Sequence, residues 1–199
     1  MPPKVYDYLG AFHIVSNMKQ FLVDYVIRQE TVEDYAAVEQ LVKLSFADVD
    51  ESDHNEHILV KRLRESAAFI PDLSIVAEAG DGQIIGYILL TKVCIVSESR
   101  EYESLGVAPV CILPTYQRNG IGGALIREAH NRAIKLGYSS AVLLGHESYY
   151  PRFGYRPAHT FGIDFPFDAP KECCMAIELL PGGLKDVHGT VRYDNAFMQ

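Results

Sequence analysis

The chain has 199 residues, of which 48% are hydrophobic and 22% are charged, so its composition is that of a folded globular protein. A chain of this length suffices for one domain with a sizeable core. The formal net charge of -8 argues against a general binder of nucleic acids or of membrane surfaces, because both require a basic face. The charge mildly favours a cationic substrate such as an amine, although an acidic surface also serves solubility alone.

The sequence carries no sign of a membrane segment or of an oxidising compartment. No run approaches the ~18 to 20 apolar residues of a membrane span. The apolar part of the first residues contains Asp7 and His13, which is atypical of a signal peptide. The four cysteines show no C-x-x-C spacing, so we expect buried thiols and no metal site. We therefore predict a cytoplasmic protein without a membrane or nucleic-acid partner.

Residues 1–25 precede the first recognisable element and are treated as an N-terminal extension. Two interpretations stay open for them. Either they pack as a helix or strand at an edge of the domain, or translation starts at Met18. The remaining residues, 26–199, are predicted to form a single domain that includes the C-terminal tail.

The first elements of this domain are a strand and two helices. A strand is predicted from Val26 to Gln29, and Thr31 is the expected N-cap of a helix that reaches Phe46. A polar loop, 48–55, separates it from a second helix at about 56–65. The acidic residues of this loop have two interpretations, which are a solvated surface and a patch that attracts a cationic substrate.

A meander of strands follows. Strands are predicted over 73–79 and 83–96, joined at Gly80-Asp81-Gly82, since an Asp-Gly turn tolerates positive φ. The meander continues over 101–113 and leads into a helix that ends at Gly137, a suitable C-cap.

The last third of the chain is predicted to complete the sheet. Residues 140–144 are apolar enough for a strand that is covered on both faces and is parallel to the strand over 101–113. Residues 161–170 contain two prolines and are predicted to form a loop, and 174–179 another strand. Residues 189–193 are expected to form an edge strand or an ordered tail. This tail pairs either with its own sheet or with a second subunit, so a homodimer stays open.

The most informative stretch lies between the strand over 101–113 and the following helix: Gln117-Arg118-Asn119-Gly120-Ile121-Gly122-Gly123-Ala124. The first N–H groups of a helix have no partner of their own, and glycine allows a ligand to approach the backbone, so this turn predicts an anion site for phosphate. A P-loop is excluded because no Lys follows the glycines. A dinucleotide fingerprint is excluded because a Pro-Thr-Tyr turn separates the strand from the glycines.

The spacing of this stretch resembles the Q-x-x-G-x-G/A pattern of the GNAT acyltransferase superfamily. A second run resembles the YhbS-like branch of predicted N-acetyltransferases in that superfamily: Gly145-His146-Glu147-Ser148-Tyr149-Tyr150-Pro151-Arg152-Phe153-Gly154-Tyr155. The resemblance covers roughly residues 26–199. It implies an α/β (α+β) GNAT fold, with a mixed central sheet of about six to seven strands that is splayed between the fourth and fifth and flanked by helices.

The resemblance also implies acetyl-CoA as co-substrate, with its pantetheine arm in the gap between the splayed strands and its pyrophosphate at the glycine turn. Arg118 would then either pair with phosphate or face solvent, and Gln117 would either contact the ligand or cap the turn. The cofactor-binding residues expected on this basis are Val110, Cys111, Ile112, Gln117, Arg118, Asn119, Gly120, Ile121, Gly122, Gly123, Ala124, Tyr149 and Phe153.

Two catalytic residues are predicted, Tyr150 and His146. Tyr150 stands four residues before Gly154, where the superfamily often has a tyrosine beside the thioester sulfur, and a phenol of pKa ~10 can give a proton to a thiolate. Tyr149 is the alternative acid, and both tyrosines also suit simple packing. The glutamate that some members use as base would fall at Gly106, which carries no carboxylate.

His146 and Glu103 are the nearby substitutes for that base. His146 follows a strand end, and its ordinary pKa of ~6.5 suits proton transfer at neutral pH. It could equally hold its loop through backbone hydrogen bonds, and a base acting through water, or solvent alone, also stays open.

The resulting prediction is an N-acetyltransferase that transfers acetyl to an unidentified small-molecule or peptide amine by direct attack in a ternary complex. The alternatives are a transferase of another acyl group, a non-catalytic sensor that binds acyl-CoA, and a nucleotide-binding regulator.

Overall fold

The computed structural model describes residues 23–47 and 54–197. Its helices are α1 (Tyr35–Phe46), α2 (Glu56–Arg64) and α3 (Ile121–Lys135). Its strands are β1 (Tyr25–Gln29), β2 (Ser74–Ala79), β3 (Ile84–Val96), β4 (Glu101–Ile112), β5 (Ser140–Leu144), β6 (Arg156–Pro157), β7 (Ile163–Asp164), β8 (Cys174–Glu178) and β9 (Gly189–Arg192). Most of the predicted extension 1–25 and most of the acidic loop 48–55 lie outside the described residues.

One mixed sheet organises the described part of the chain. Seven strands follow the order β1-β2-β3-β4-β5-β8-β6, while β9 pairs with β3 and β7. The β4–β5 pair and the β7–β9 pair are parallel, and the remaining pairs are antiparallel. The predicted mixed sheet with flanking helices is confirmed. The count of six to seven strands describes the main path, to which the short β7 and the tail strand β9 add two.

The two faces of the sheet carry different layers. Alternate side chains of β3 show this directly, because Ile88 and Leu90 pack into a cluster with α3, whereas Tyr87 and Leu89 pack into a cluster with α1 and α2. Further along the second face, the C-terminal residues form a third cluster around Val93. The second face is therefore covered by two separate units.

Local sequence signals set the ends of the helices. Thr31 and Asp34 form a capping box, but a 3-10 turn over Val32–Asp34 intervenes, so α1 begins later than predicted. At the end of α3, Gly137 has φ +92° and Tyr138 N–H donates to the carbonyl of Ala133 at 3.0 Å, which is a Schellman cap. This end is as predicted.

The C-terminal third differs from the prediction in one place. Residues 161–170 were expected to form a loop, but they contain β7, which pairs with the tail strand β9. A strand of two residues has no periodic pattern, so its sequence gives no signal. The tail itself folds back on its own sheet, because β9 also pairs with β3 through Ile95 and Val191.

A buried ion pair ties the layers of the first half together. Arg64 of α2 pairs with Glu30, and their side chains are 4% and 1% exposed. Glu30 also accepts a hydrogen bond from Ser74 Oγ, which lies 2.8 Å from the Tyr87 hydroxyl, and Arg64 stacks over the Tyr35 ring at 4.0 Å. The network therefore joins α1, α2, β2 and β3 to the end of β1. Burial is the main cause of a pKa of Tyr87 far above its usual range.

We expect Arg64→Met to lower the free energy of unfolding by about 3–5 kcal/mol, because it leaves the buried carboxylate of Glu30 without its counter-charge. The matched control is Arg192→Met, which breaks a pair with Glu101 whose two side chains are each 55% exposed. This control should cost at most about 1 kcal/mol. Urea unfolding measures both. The double variant Glu30→Gln/Arg64→Met should recover part of the loss, and equal losses for the two single variants would contradict the prediction.

Candidate active site

The central feature of the site is a gap between β4 and β5. These strands pair only at Leu105 with Ala141 and at Gly106 with Val142. Just before the gap, the buried hydroxyls of Ser104 and Ser140 lie 2.8 Å apart and join the two strands. Beyond Gly106, no strand among residues 23–47 and 54–197 pairs with this edge of β4. The predicted splay between the fourth and fifth strands is confirmed.

A bulge in β4 lies beside the gap. Val110 lies opposite Ile88 and Val107 opposite Leu90, so two residues of β4, one of them Pro109, lie opposite a single residue of β3. Proline has no N–H to donate, which makes this position suitable for a bulge and unsuitable for a regular ladder.

The bulge is followed by backbone groups that point into the gap. Leu113 N–H donates to the carbonyl of Ile85 at 3.0 Å and therefore faces β3. Because successive residues of a strand direct their N–H groups to opposite edges, those of Ile112 and Val110 face the gap. The N–H of Cys111 faces β3 instead, and its thiol is buried, which raises the thiol pKa above its usual range.

The carbonyl of Ile112 is held from two sides. It accepts hydrogen bonds from Ser45 Oγ at 3.1 Å and from Gln117 Nε2 at 3.4 Å. Ser45 belongs to α1 and Gln117 to the glycine turn. The carbonyl of Ile112 therefore connects β4 with α1 and with the glycine turn. Of the two predicted roles of Gln117, the contact supports the capping of the turn.

The glycine turn presents a row of unpaired backbone donors. The first hydrogen bond of α3 runs from Ala124 N–H to the carbonyl of Gly120 at 3.0 Å. The N–H groups of Arg118 through Gly123 find no acceptor within the described part of the chain. Gly120 and Arg118 adopt left-handed backbone, with φ +80° and +65°, and Asn119 Nδ2 holds the turn through the carbonyl of Tyr116 at 3.1 Å. Donors arranged this way at a helix start suit an anion.

Two aromatic side chains border the start of α3. A Cβ added at Gly122 would lie 3.0 Å from the Tyr149 hydroxyl, and one at Gly123 would lie 3.4 Å from the Phe153 ring. Any larger residue at either glycine would compete with these rings for the same space. The structure therefore brings the predicted Tyr149 and Phe153 to the predicted glycine turn.

Two cations stand beside these rings, and neither is among the site residues predicted from the sequence. The Arg127 guanidinium lies 5.9 Å from the centroid of the Phe153 ring, and that of Arg152 lies 4.6 Å from the centroid of the Tyr149 ring. Arg127 stands one helical turn after Gly123, so helical spacing alone would have placed it on the same face. Both cations stand close to the unpaired donors in a chain of net charge -8.

Tyr150 is half-buried among aromatic rings. Its ring contacts those of Tyr149 and Tyr155 edge-on, with centroids 5.1 and 5.7 Å away. It also fills the space over Gly145, where a Cβ would lie 2.2 Å from a Tyr150 ring carbon. Burial, with a smaller effect of Tyr149, raises the pKa of Tyr150 to about 12. The phenol therefore stays protonated at neutral pH, as a proton donor requires.

A second pair of side chains supports Tyr150 from behind. The Tyr155 hydroxyl lies 3.0 Å from Nε2 of His130 on α3. Burial lowers the pKa of His130 to about 4, so the imidazole is neutral at pH 7.

His146 is exposed and holds its own loop. Its Nδ1 accepts hydrogen bonds from the Ser148 N–H at 3.3 Å and from Ser148 Oγ at 3.0 Å, and its carbonyl accepts from Tyr149 N–H at 3.0 Å. With Nδ1 as an acceptor, the neutral ring carries its proton on Nε2, so neither nitrogen has a free lone pair. These contacts support the structural interpretation of His146 over the role of base.

Glu103 points to the other face of the sheet from Gly106. Burial, followed by the charge of Glu103, raises the pKa of Tyr138 above its usual range. Along β4, Glu103 shares its face with Leu105, which packs into the cluster with α3, whereas Gly106 faces Val93 and Tyr193. This placement does not support Glu103 as a substitute for a glutamate at Gly106.

The position of the absent glutamate, Gly106, is covered by the C-terminal tail. A Cβ added there would lie 2.8 Å from Val93 Cγ1 and 3.4 Å from a ring carbon of Tyr193. A longer side chain would have to displace both. Tyr193 is thus a residue of the site that its remote position in the sequence did not reveal.

Comparison with known proteins places these features in a family. A model of the acetyltransferase (GNAT) domain matches residues 71–157. The uncharacterized N-acetyltransferase YjhQ of Escherichia coli K12 is 32% identical over 137 residues, which cover 67% of this chain and 75% of YjhQ. The uncharacterized N-acetyltransferase YhbS of the same strain is 29% identical over 172 residues, which cover 86% of this chain and 98% of YhbS.

Two solved structures share the fold over most of the chain. YhbS from Escherichia coli in complex with CoA matches with a TM-score of 0.80 and 27% identity, over 89% of this chain and 93% of YhbS. A GNAT family acetyltransferase from Brucella melitensis in complex with acetyl-CoA matches with a TM-score of 0.72 and 33% identity, over 87% of this chain and 98% of that protein. The chain belongs to the GNAT family of acetyltransferases, which confirms the predicted family, fold and class of enzyme.

No helix within residues 23–47 and 54–197 combines the length and apolarity that a membrane crossing requires.

The His130 pair yields a pH prediction. The pKa of His130 falls from 6.5 in the unfolded chain to about 4 in the fold, so only the unfolded state binds the proton between these values. The stabilisation is complete above pH 6.5 and is lost as the pH falls towards 4, by up to about 3 kcal/mol. His130→Gln should flatten this part of the profile of unfolding free energy against pH, whereas the exposed His188→Gln should not. A wild-type profile with the same slope as His130→Gln would refute the prediction.

Proposed function

We propose that this protein is an N-acetyltransferase that transfers acetyl from acetyl-CoA to an amine by direct attack in a ternary complex. The observation that carries the proposal is the combination of two sets of open backbone N–H groups, those of Val110 and Ile112 at the edge of β4 and those of the glycine turn. The complexes of the two relatives, one with CoA and one with acetyl-CoA, support acetyl-CoA as the co-substrate.

The residues present fit this co-substrate. The unpaired N–H groups between Arg118 and Gly123 would receive the pyrophosphate, as helix starts do for anions. Arg127 and Arg152 add positive charge at the same end of α3. The edge of β4 would pair with the amide groups of the pantetheine arm as a missing strand would.

The protein residues then divide the proton transfers of the reaction. Acetyl-CoA supplies an activated thioester, whose C–S bond breaks as the bond from the acceptor nitrogen to the carbonyl carbon forms. Tyr150, protonated at neutral pH, donates its proton to the departing sulfur and regains one from solvent. The amine attacks in its neutral form, so an ammonium ion first gives one proton to water. The nitrogen gives a second proton to water as the amide forms, because His146 uses its lone pair within its loop and Glu103 points to the other face of the sheet.

Cofactor placement is tested by calorimetric titration with acetyl-CoA, CoA and NAD. We expect the wild type to bind both CoA forms and not NAD, and Gly122→Trp to lose at least a hundredfold in affinity, because the indole would fill the space beside the Tyr149 hydroxyl. The matched control is Leu136→Trp, at the exposed C-terminal end of the same helix, which should bind normally.

Thermal unfolding must show that both Trp variants are folded. Undiminished CoA binding by a folded Gly122→Trp protein would place the cofactor elsewhere, and a folded wild type that binds no CoA would refute the proposed function.

The acid is tested by removing one hydroxyl at a time. Tyr150→Phe should lower kcat by about a hundredfold or more, because general acid catalysis typically contributes 10²–10⁴-fold, while the Kd for acetyl-CoA stays unchanged. The control is Tyr149→Phe, which removes the neighbouring hydroxyl, keeps the ring and should leave kcat nearly unchanged. Because the pKa of Tyr150 is about 12, the phenol keeps its proton up to pH 10. A fall of kcat between neutral pH and pH 10 should therefore be absent, or should be the same in the wild type and in Tyr150→Phe. Loss of kcat in Tyr149→Phe alone would assign the acid to the neighbour.

A further inference from the structure

A cavity of about 160 Å³ lies where the segment after β7 meets the first residue of β8. Cys174 is one of the residues that line it. Along β8, Met175 and Ile177 pack towards α3, while Ala176 packs into the cluster of the opposite face. By alternation the Cys174 side chain points to this opposite face as well. The cavity therefore opens on the side of the sheet that the glycine turn and α3 leave free.

The cavity lies beside β5, whose other edge forms one side of the gap between β4 and β5. Cys174 pairs with Leu144, the last residue of β5, and the Gly145 N–H donates to the carbonyl of Cys173 at 2.9 Å. The residues that follow Gly145 lead directly to Tyr150, the proposed acid. A molecule in this cavity would thus lie beside the end of β5 that forms one side of the gap.

An aromatic wall continues from the cavity to the point where the two strands separate. Phe165 and Phe167 line the cavity, with ring centroids 5.6 Å apart. Phe167 stacks on Tyr193 at 6.0 Å, and Tyr193 covers Gly106, the last residue of β4 that pairs with β5. The wall is also open to a ligand, because Phe167 and Leu144 are 43% and 51% exposed.

The charges around the cavity favour a cation. Asp164 and Asp168 line it together with Lys171 and His159, so the formal charge with histidine neutral is one negative in excess. A primary amine is an ammonium ion at neutral pH, which these carboxylates attract, while its carbon body faces the aromatic wall. The volume is close to that of a cavity that holds one benzene molecule, so it suits a body of a single ring or a short alkyl chain.

Resting on the proposed function, we infer that this cavity is the acceptor subsite and that it takes a small primary amine carried on an apolar body of about the size of benzene. Phe167 binds the body, and Asp168 attracts the ammonium group. A small free amine can place its whole carbon body against Phe167, whereas a lysine of a folded protein brings only its alkyl side chain to the cavity.

The test uses three probes with the full chain: 2-phenylethylamine, ethanolamine, which lacks the apolar body, and 2-phenylethanol, which lacks the charge. Thiol release from acetyl-CoA gives kcat/KM for the amines, and calorimetry gives Kd for all three on the CoA-loaded protein. We expect kcat/KM for 2-phenylethylamine to exceed that for ethanolamine at least tenfold, and 2-phenylethanol to bind at least tenfold more weakly than 2-phenylethylamine.

Two variants assign these differences to residues. Phe167→Ala should remove the preference for the apolar amine and leave ethanolamine unchanged. Asp168→Asn should raise the Kd of 2-phenylethylamine severalfold without changing that of 2-phenylethanol. The controls are Val32→Ala and Asp72→Asn, which alter an exposed apolar and an exposed acidic residue on other parts of the surface.

The outcomes separate this inference from the proposed function. An equal or reversed preference between the two amines, or an equal effect of Phe167→Ala on both, would overturn the subsite. A kcat/KM for the peptide Ala-Lys-Ala, used as the acetyl acceptor, that is higher than that for 2-phenylethylamine would also overturn the subsite. If CoA binds but no amine releases thiol, the proposed function fails. The calorimetric preference for 2-phenylethylamine, and its loss in Phe167→Ala, then still decides whether the cavity binds such amines.

Discussion

The pairing of β4 with β5 at only two positions is the constraint on which the site depends. A backbone edge that opens inside a protein leaves N–H and C=O groups that need partners, and such groups are costly when they are buried without them. The structure keeps this edge open through the bulge at Pro109 and the hydrogen bonds from Ser45 and Gln117 to the carbonyl of Ile112. The buried contact between Ser104 and Ser140 limits the separation to one end of the strands.

The face of the sheet opposite α3 is built from parts that are far apart in the sequence. On one side, the buried pair of Arg64 and Glu30 fixes α2 against the first strands. On the other side, the tail reaches across β3, and Tyr193 contacts both the Phe167 ring and the Phe197 ring, whose centroid lies 4.9 Å away. Phe197 in turn packs into the cluster of α1 and α2. A single aromatic path therefore links the two halves of this face.

The sequence determines those parts of the fold that have local signals. The helix α3 follows from its apolar spacing, its glycine start and its Gly137 end, and β5 follows from a continuous apolar run. The strand β7 has only two residues, which are too few to show a periodic pattern in the sequence. The contact of Tyr193 with Gly106 joins distant parts of the chain, and nothing near either residue indicates it. For His146, the sequence left two roles open, and the contacts with Ser148 support the structural one.

The placement of the tail has a consequence for biosynthesis. Chains are made from the N-terminus, and elements that are complete begin to pack first. The gap, the glycine turn and α3 are all complete before the ribosome reaches β9, whereas the cover over Gly106 requires Tyr193, which follows β9. The nascent chain can therefore form the open edge of β4 and the row of unpaired N–H groups first, and the aromatic cover over the start of the gap is added afterwards.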